Sequence, residues 1–266
     1  MVSFVHLHVH TQYSLLDGAS RIPDLISAAK AFNMPAVAIT DHGVMYGVID
    51  FYKEAVKQGI KPIIGCELYV APRSRFEKTT VEVDAYYHLV LLAANQQGYR
   101  NLLELVTRAN TEGFYYKPRV DKELLREYSE GLICLSGCLA GEIPALLLKG
   151  DYAGAEAVAN EYREIFGPDN FYLELQDHGL PEQQQVNNLL IRLGKKLGLG
   201  LVATNDIHYV KKTDAECHDI LLCIQTGKTV DDPNRMRFDT DEFYLKSGEE
   251  MAALFAACPE AINNTL

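Results

Sequence analysis

Short runs rich in Val, Ile and Leu alternate along the chain with longer amphipathic stretches, the rhythm of βα units around a sheet. The short runs predict seven strands, over 2–10, 36–40, 61–67, 86–93, 132–136, 171–175 and 199–204. Periodic stretches between them predict helices near 20–32, 45–58, 98–111, 121–128, 139–148, 151–166 and 182–197, with further helices over 214–225 and 247–257. Gly59, Gly131, Gly150, Gly167 and Gly198 follow the expected helix ends, and Ser247 with Glu250 has capping-box spacing. Seven such units favour a parallel sheet closed into a distorted barrel. The polar run from Ala71 to Asp84 reads as an excursion, a loop or small hairpin, and no Pro/Gly/Ser linker divides residues 1–266, which reads as one domain.

Composition narrows the class. The chain has 266 residues, 48 % hydrophobic and 23 % charged, proportions of a globular protein with a substantial core. No apolar run approaches the roughly 20 residues a spanning helix needs, and the N-terminus lacks a secretory pattern; the reading is cytoplasmic, with no membrane partner. Twenty-five basic against 36 acidic residues, a net charge of −11, argue against a broad basic face for nucleic acid. A local phosphate site survives that argument, because bound metal ions reverse the charge where it matters. Six cysteines without CxxC pairs read mostly as small core residues.

The histidines carry the chemistry. His6, His8 and His10 alternate along the first strand, which would place all three on one face. Other strands end on Asp41-His42, Cys66-Glu67 and Asp206-x-His208; His88 precedes LVLLA, Cys138 follows LSG, and Glu174 lies in the sixth strand. Ligand-type residues therefore gather near one end of nearly every strand, where α/β barrels build their sites. Imidazole, carboxylate and one thiolate suit Zn²⁺, Mn²⁺ or Fe better than an oxygen cage for Ca²⁺. There are more candidates than one tetrahedral ion can use, and two or three ions sharing a carboxylate would suit displacement at phosphorus.

The segments HLHVHTQYSLLDG, MPAVAITDHGVMYG, GIKPIIGCELYVAP, LSGCLAGE and LVATNDIHYV resemble the polymerase-and-histidinol-phosphatase (PHP) superfamily, and most closely the N-terminal PHP domain of bacterial replicative DNA polymerases, the polymerase III alpha subunits. The resemblance runs over essentially the whole chain. It implies a distorted (βα)7 barrel with a trinuclear metal centre at the C-terminal ends of the strands. One ion would take His8, His10, Glu67 and Asp206; a second would share Glu67 and take His88 and Cys138; a third would take Asp17, His42 and His208. Catalytic roles would fall to His8, His10, Glu67, Asp206 and His208. Phosphate grips would come from Arg73, Arg75, Lys117 and Arg119, and His178 would reach substrate. His6 stands where the wider family has Asp and is no ligand, Asp41 orients a ligand or caps a helix, and His218 reads as structural.

The implied activity is metal-dependent hydrolysis of DNA phosphodiesters, of the 3′→5′ proofreading exonuclease type, with zinc or manganese as cofactor. The implied partners are single-stranded DNA or a primer 3′ end, the rest of a DNA-directed DNA polymerase chain in a bacterial nucleoid, and a proofreading or clamp subunit. The alternatives are a small-molecule phosphatase of the histidinol-phosphate type and a catalytically silent module of the polymerase. The closing run PEAINNTL begins a new helix where the chain stops, which suggests a fragment of a longer polypeptide.

Overall fold

The computed structural model describes residues 2–78 and 86–266. In chain order its elements are α1 (Ile22–Ala31), β1 (Ala36–Ile39), α2 (Val48–Gln58), β2 (Lys61–Val70), β3 (Tyr87–Ala93), α3 (Gln96–Thr111), β4 (Arg119–Val120), α4 (Lys122–Glu127) and β5 (Leu132–Leu135). There follow α5 (Glu142–Leu148), α6 (Tyr152–Phe166), β6 (Phe171–Leu175), α7 (Pro181–Leu197), β7 (Gly200–Ala203), α8 (Ala215–Thr226), α9 (Gly248–Leu254) and α10 (Pro259–Asn263). The expected helices are present. Gly59 and Gly198 close α2 and α7 in the left-handed conformation that glycine adopts without strain. At the start of α9, Ser247 Oγ accepts from the Glu250 N–H while the Glu250 carboxylate accepts from the Ser247 N–H.

The sheet runs in the order β1-β2-β3-β5-β6-β7, with β4 added to β2. It is mixed, against the parallel expectation: β3 is antiparallel to both β2 and β5, with Gly65 opposite Leu92 and Val90 opposite Leu135. A parallel neighbour would need a helical crossover, and the polar run after β2 lacks the apolar periodicity for one. Residues 71–78 of that run form turns; the remainder of the expected excursion, Thr79–Asp84, lies outside the described residues. The two-residue β4 has no apolar signature and was not foreseen.

The first expected strand is the second correction. Residues 4–10 form no regular strand, yet they lie between the two edges of the sheet. On one side the Ala38 N–H donates to the His6 carbonyl and the Thr40 N–H to that of Val9, both at 2.9 Å. On the other, the His10 N–H donates to the Ile207 carbonyl at 2.7 Å and the Ile207 N–H to that of His8 at 3.1 Å. The curled sheet is thereby bridged into a distorted barrel. From His6 to Val9 is three residues, whereas from Ala38 to Thr40 is two, so the segment carries one extra residue, as in a β-bulge. The bulge reverses the facing of the side chains. Val5 and Leu7 pack inside with Ala36, Ala38, Val90, Leu92, Leu135 and Val202, whereas Val9 joins the larger core between sheet and helices. His6 is therefore separated from His8 and His10, and its Nε2 meets the Lys246 carbonyl at 2.8 Å.

The larger core runs from Phe4 to Ile262 and includes Leu25, Phe51, Leu102, Tyr162, Leu190 and Met251 from the surrounding helices. Among the described residues, no helix is long and apolar enough to cross a membrane.

Candidate metal centre

At the rim where β1, β6 and β7 end, where antiparallel β3 begins and where β2 has passed beyond its pairing with β1, the chain assembles a buried cluster of imidazoles and carboxylates. His88, the second residue of antiparallel β3, comes to the same rim. Glu67 sits at the middle. Its carboxylate lies 3.2 Å from His8 Nε2, 3.7 Å from His10 Nε2, 2.5 Å from His42 Nδ1 and 3.0 Å from His88 Nδ1. Asp206 Oδ1 lies 3.2 Å from His8 Nε2 and 3.0 Å from His10 Nε2. Cys138 Sγ is 3.8 Å from His88 Nδ1. On the outer side Asp17 Oδ2 is 2.9 Å from His42 Nε2, and Asp17 Oδ1 is 3.9 Å from His208 Nε2. All nine expected ligand positions are thus brought into one region. His8, His10 and Asp206 converge as expected, whereas His42 falls with Glu67 and His88 on one side and with His10 and His208 on the other.

The hydrogen bonds behind the cluster fix which nitrogens face inward. His8 Nδ1 donates to Glu174 Oε1 at 2.7 Å. Glu174 is held in turn by Thr204 Oγ1, Gln176 Nε2 and the Gly137 N–H. His208 Nδ1 donates to the Asp206 carbonyl at 2.8 Å. Asp206 itself takes φ +43°, a left-handed backbone uncommon for a side-chain-bearing residue and frequent at functional sites. Ser14 Oγ gives its proton to Asp41 at 2.7 Å and so accepts from His10 Nδ1 at 3.2 Å. Asp41 also takes the N–H and hydroxyl of Thr11, which makes it the orienting residue expected of it. In His8, His10 and His208 the Nδ1 proton goes to these acceptors, so the neutral ring presents the lone pair of Nε2 inward.

Electrostatics describes the same centre. Asp17, Glu67 and Asp206 are largely or wholly withdrawn from water, and the ionic partners found for them among the described residues are all histidines. Burial opposes their ionisation, yet the surrounding imidazoles hold all three carboxyls well below the ordinary range. Burial also opposes charging of His42, but Glu67 and Asp17 outweigh it and raise the ring to about 10. His10 goes the other way, to about 3, through burial and its neighbours His42 and His208. A neutral His10 has one ring proton and cannot donate to both Ser14 and Asp206. His8 Nε2, Asp17 Oδ1, both nitrogens of His42 and Glu67 Oε2 are buried without hydrogen-bond partners. Buried ring nitrogens converging with carboxylate oxygens that lack hydrogen-bond partners fit divalent cations, which would displace the ring protons, and the mixed N, O and S donors suit zinc or a similar transition metal.

The expected substrate residues separate into two groups. Arg75 is 4 % exposed and bound to Asp121 and Glu112. Arg119 is also buried, donating to the carbonyls of Gly113, Arg75 and Glu77. Both tie the chain after β2 to β4 and are not free to grip phosphate. His178 has both ring nitrogens occupied, Nε2 donating to the Asn205 carbonyl and Nδ1 accepting from Gln183. Its ring stacks on Phe243 at 3.8 Å, and burial lowers it to about 4; it supports the wall behind His208 and does not reach outward. Arg73 is exposed and paired with Glu77. Lys117 lies over Tyr69, 5.3 Å from the ring centroid, and Tyr69 stands 5.3 Å from His88, which places Lys117 at the edge of the centre.

Two residues at the centre were not foreseen in these roles. Glu174 was read as one of the ligand-type residues near the strand ends, with no partner assigned to it. His218, on α8, approaches Asp17 Oδ1 to 3.8 Å and lies 5.5 Å from the His208 ring; no spacing in the sequence joins it to either. Beside it a cleft of about 520 Å³ opens, lined by Tyr209, His218, Arg235, Arg237, Phe238 and Asp239 among others.

The PHP domain family matches residues 6–178. The DNA polymerase III subunit alpha of Treponema pallidum is 56 % identical over the whole chain, and that of Thermus aquaticus is 53 % identical over 98 % of it. The chain spans 23 % and 21 % of the length of these two relatives. A solved structure of a putative metal-dependent phosphoesterase from Bifidobacterium adolescentis is 12 % identical, with a TM-score of 0.49, over 94 % of this chain and 96 % of its own.

Proposed function

Because the chain belongs to the PHP domain family, we propose that its centre is a metal-dependent phosphoesterase site acting on DNA ends, as one domain of a longer replicative polymerase. The observation that carries this reading is the inward convergence of His8 and His10 Nε2 on Glu67 and Asp206, with each outward nitrogen already bound. His8, His10, Glu67 and Asp206 would hold one ion, Glu67 with His88 and Cys138 a second, and Asp17 with His42 and His208 a third. Bound divalent ions supply the Lewis acidity that phosphoryl transfer to water requires.

The protein's own residues do the rest. Glu174 and the Asp41–Ser14 pair hold the ligand rings in one tautomer, so no reorganisation is needed when substrate arrives. The exposed Arg237 and the Phe238 ring, 5.0 Å from that of His208, would take the phosphate and base of a strand end lying in the cleft. Lys117 would serve the opposite edge. A centre within a chain of net charge −11 needs such local cations, because the surface as a whole repels DNA.

The test is hydrolysis by the chain loaded with Mn²⁺ or Zn²⁺, using single-stranded DNA labelled at either end and histidinol phosphate. Mononucleotide release from the 3′ end is expected, with a loss of at least about 100-fold in the His8→Ala/His10→Ala double variant. Preferential turnover of histidinol phosphate would move the reading to a small-molecule phosphatase. Metal-loaded protein inert on both would make this a silent module.

A further inference from the structure

We propose that His218 is an additional metal ligand, completing with Asp17, His42 and His208 the donor set on the outer side of the centre. The inference rests on the metal-dependent reading above and adds to it a residue from α8, an element whose sequence carries no ligand motif.

His218 faces inward from α8 one turn before Leu222, and only 2 % of it is exposed. Its ring is fixed by neighbours on three sides: Phe238 at 4.7 Å, Tyr209 at 5.3 Å and His208 at 5.5 Å between centroids. Nε2 has no hydrogen-bond partner although it is fully buried, and neither has Asp17 Oδ1, the atom it faces at 3.8 Å. His208 Nε2 lies 3.9 Å from that same oxygen. Both separations are too long for hydrogen bonds. They are close to the spacing of two donors on one tetrahedral ion, roughly 3.3–3.6 Å for bonds of about 2.0–2.2 Å. His42 Nε2, 2.9 Å from the other Asp17 oxygen, supplies the remaining side.

The consequence is functional. Asp17, His42 and His208 alone leave a fourth position open, as catalytic ions do, whereas four protein donors make the closed coordination of a structural ion. With His218 included, this ion pins α8 and the segment bearing Asp17 to the barrel rim. The open positions that meet substrate then belong to the ions around Glu67. His218 also lines the cleft, so this ion would set the cleft wall.

The experiment strips the full chain with chelator, reloads it with Zn²⁺, and counts bound ions by elemental analysis. His218→Ala and His218→Gln should each hold one ion fewer than the unsubstituted chain, with the circular dichroism of the fold retained. An unchanged ion count in either folded variant overturns the role of His218 and leaves the phosphoesterase reading standing. An unsubstituted chain that binds no metal overturns both. If neither variant folds, the Co²⁺-loaded unsubstituted chain decides by nuclear magnetic resonance. His218 ring protons shifted far outside the diamagnetic range support coordination, and unshifted ones refute it.

Discussion

Tautomers decide what the residues of this centre can do. An imidazole that donates through Nδ1 to a carboxylate or carbonyl leaves Nε2 as an acceptor, and His8 and His208 are both held that way. Cys138 is the odd donor. Burial pushes its thiol well above the usual range, and the nearby Asp206 and Glu67 carboxylates add to the effect; only a cation beside it would make it a thiolate. With metal removed, alkylation of Cys138 should be slow at about pH 7 and climb steeply towards about pH 9. Metal-loaded protein should resist at both. Peptide mapping that finds equal labelling with and without metal would remove Cys138 from the ligand set. Single residues were also where the sequence was least legible. Arg75 and Arg119 look like surface cations in a polar run, but their partners Glu112 and Asp121, and the Gly113 carbonyl, become neighbours only through tertiary packing.

Elements explain why so much of the site could be read in advance. Each parallel strand ends at one rim, so a ligand at the end of an apolar run is already placed once the run is recognised. Asp206 and His208 were legible for that reason; Glu67 was read at a strand end, but β2 continues past it to Val70. The antiparallel course of β3 left His88 readable too, since its beginning meets the same rim. The bulge between His6 and Val9 was not readable: an inserted residue leaves the apolar–polar alternation unchanged while reversing its facing. Beyond the ligands, β6 contributes Glu174, whose carboxylate bonds His8, Gln176, Thr204 and the Gly137 amide. Glu174→Gln preserves the shape but weakens the acceptor behind His8. Isothermal titration should show metal affinity about 10–100-fold lower with the fold unchanged. Unaltered affinity would mean that the β6 carboxylate merely packs.

For the whole molecule, the central question is how a chain of net charge −11 gathers so many carboxylates at one buried point. Buried anions without cationic partners are costly, and here imidazoles stand where lysines and arginines would otherwise be expected. The large core holds the barrel from Phe4 to Ile262, so the centre is pre-formed by packing. The relatives are several times longer than this chain. The most direct measurement is diffraction from crystals grown with Zn²⁺, with data collected on either side of its absorption edge. Anomalous peaks are predicted between His8 Nε2, His10 Nε2, Glu67 and Asp206, at bond lengths of about 2.0–2.2 Å. A cluster without any anomalous peak, in crystals showing zinc bound elsewhere on the chain, would contradict the account.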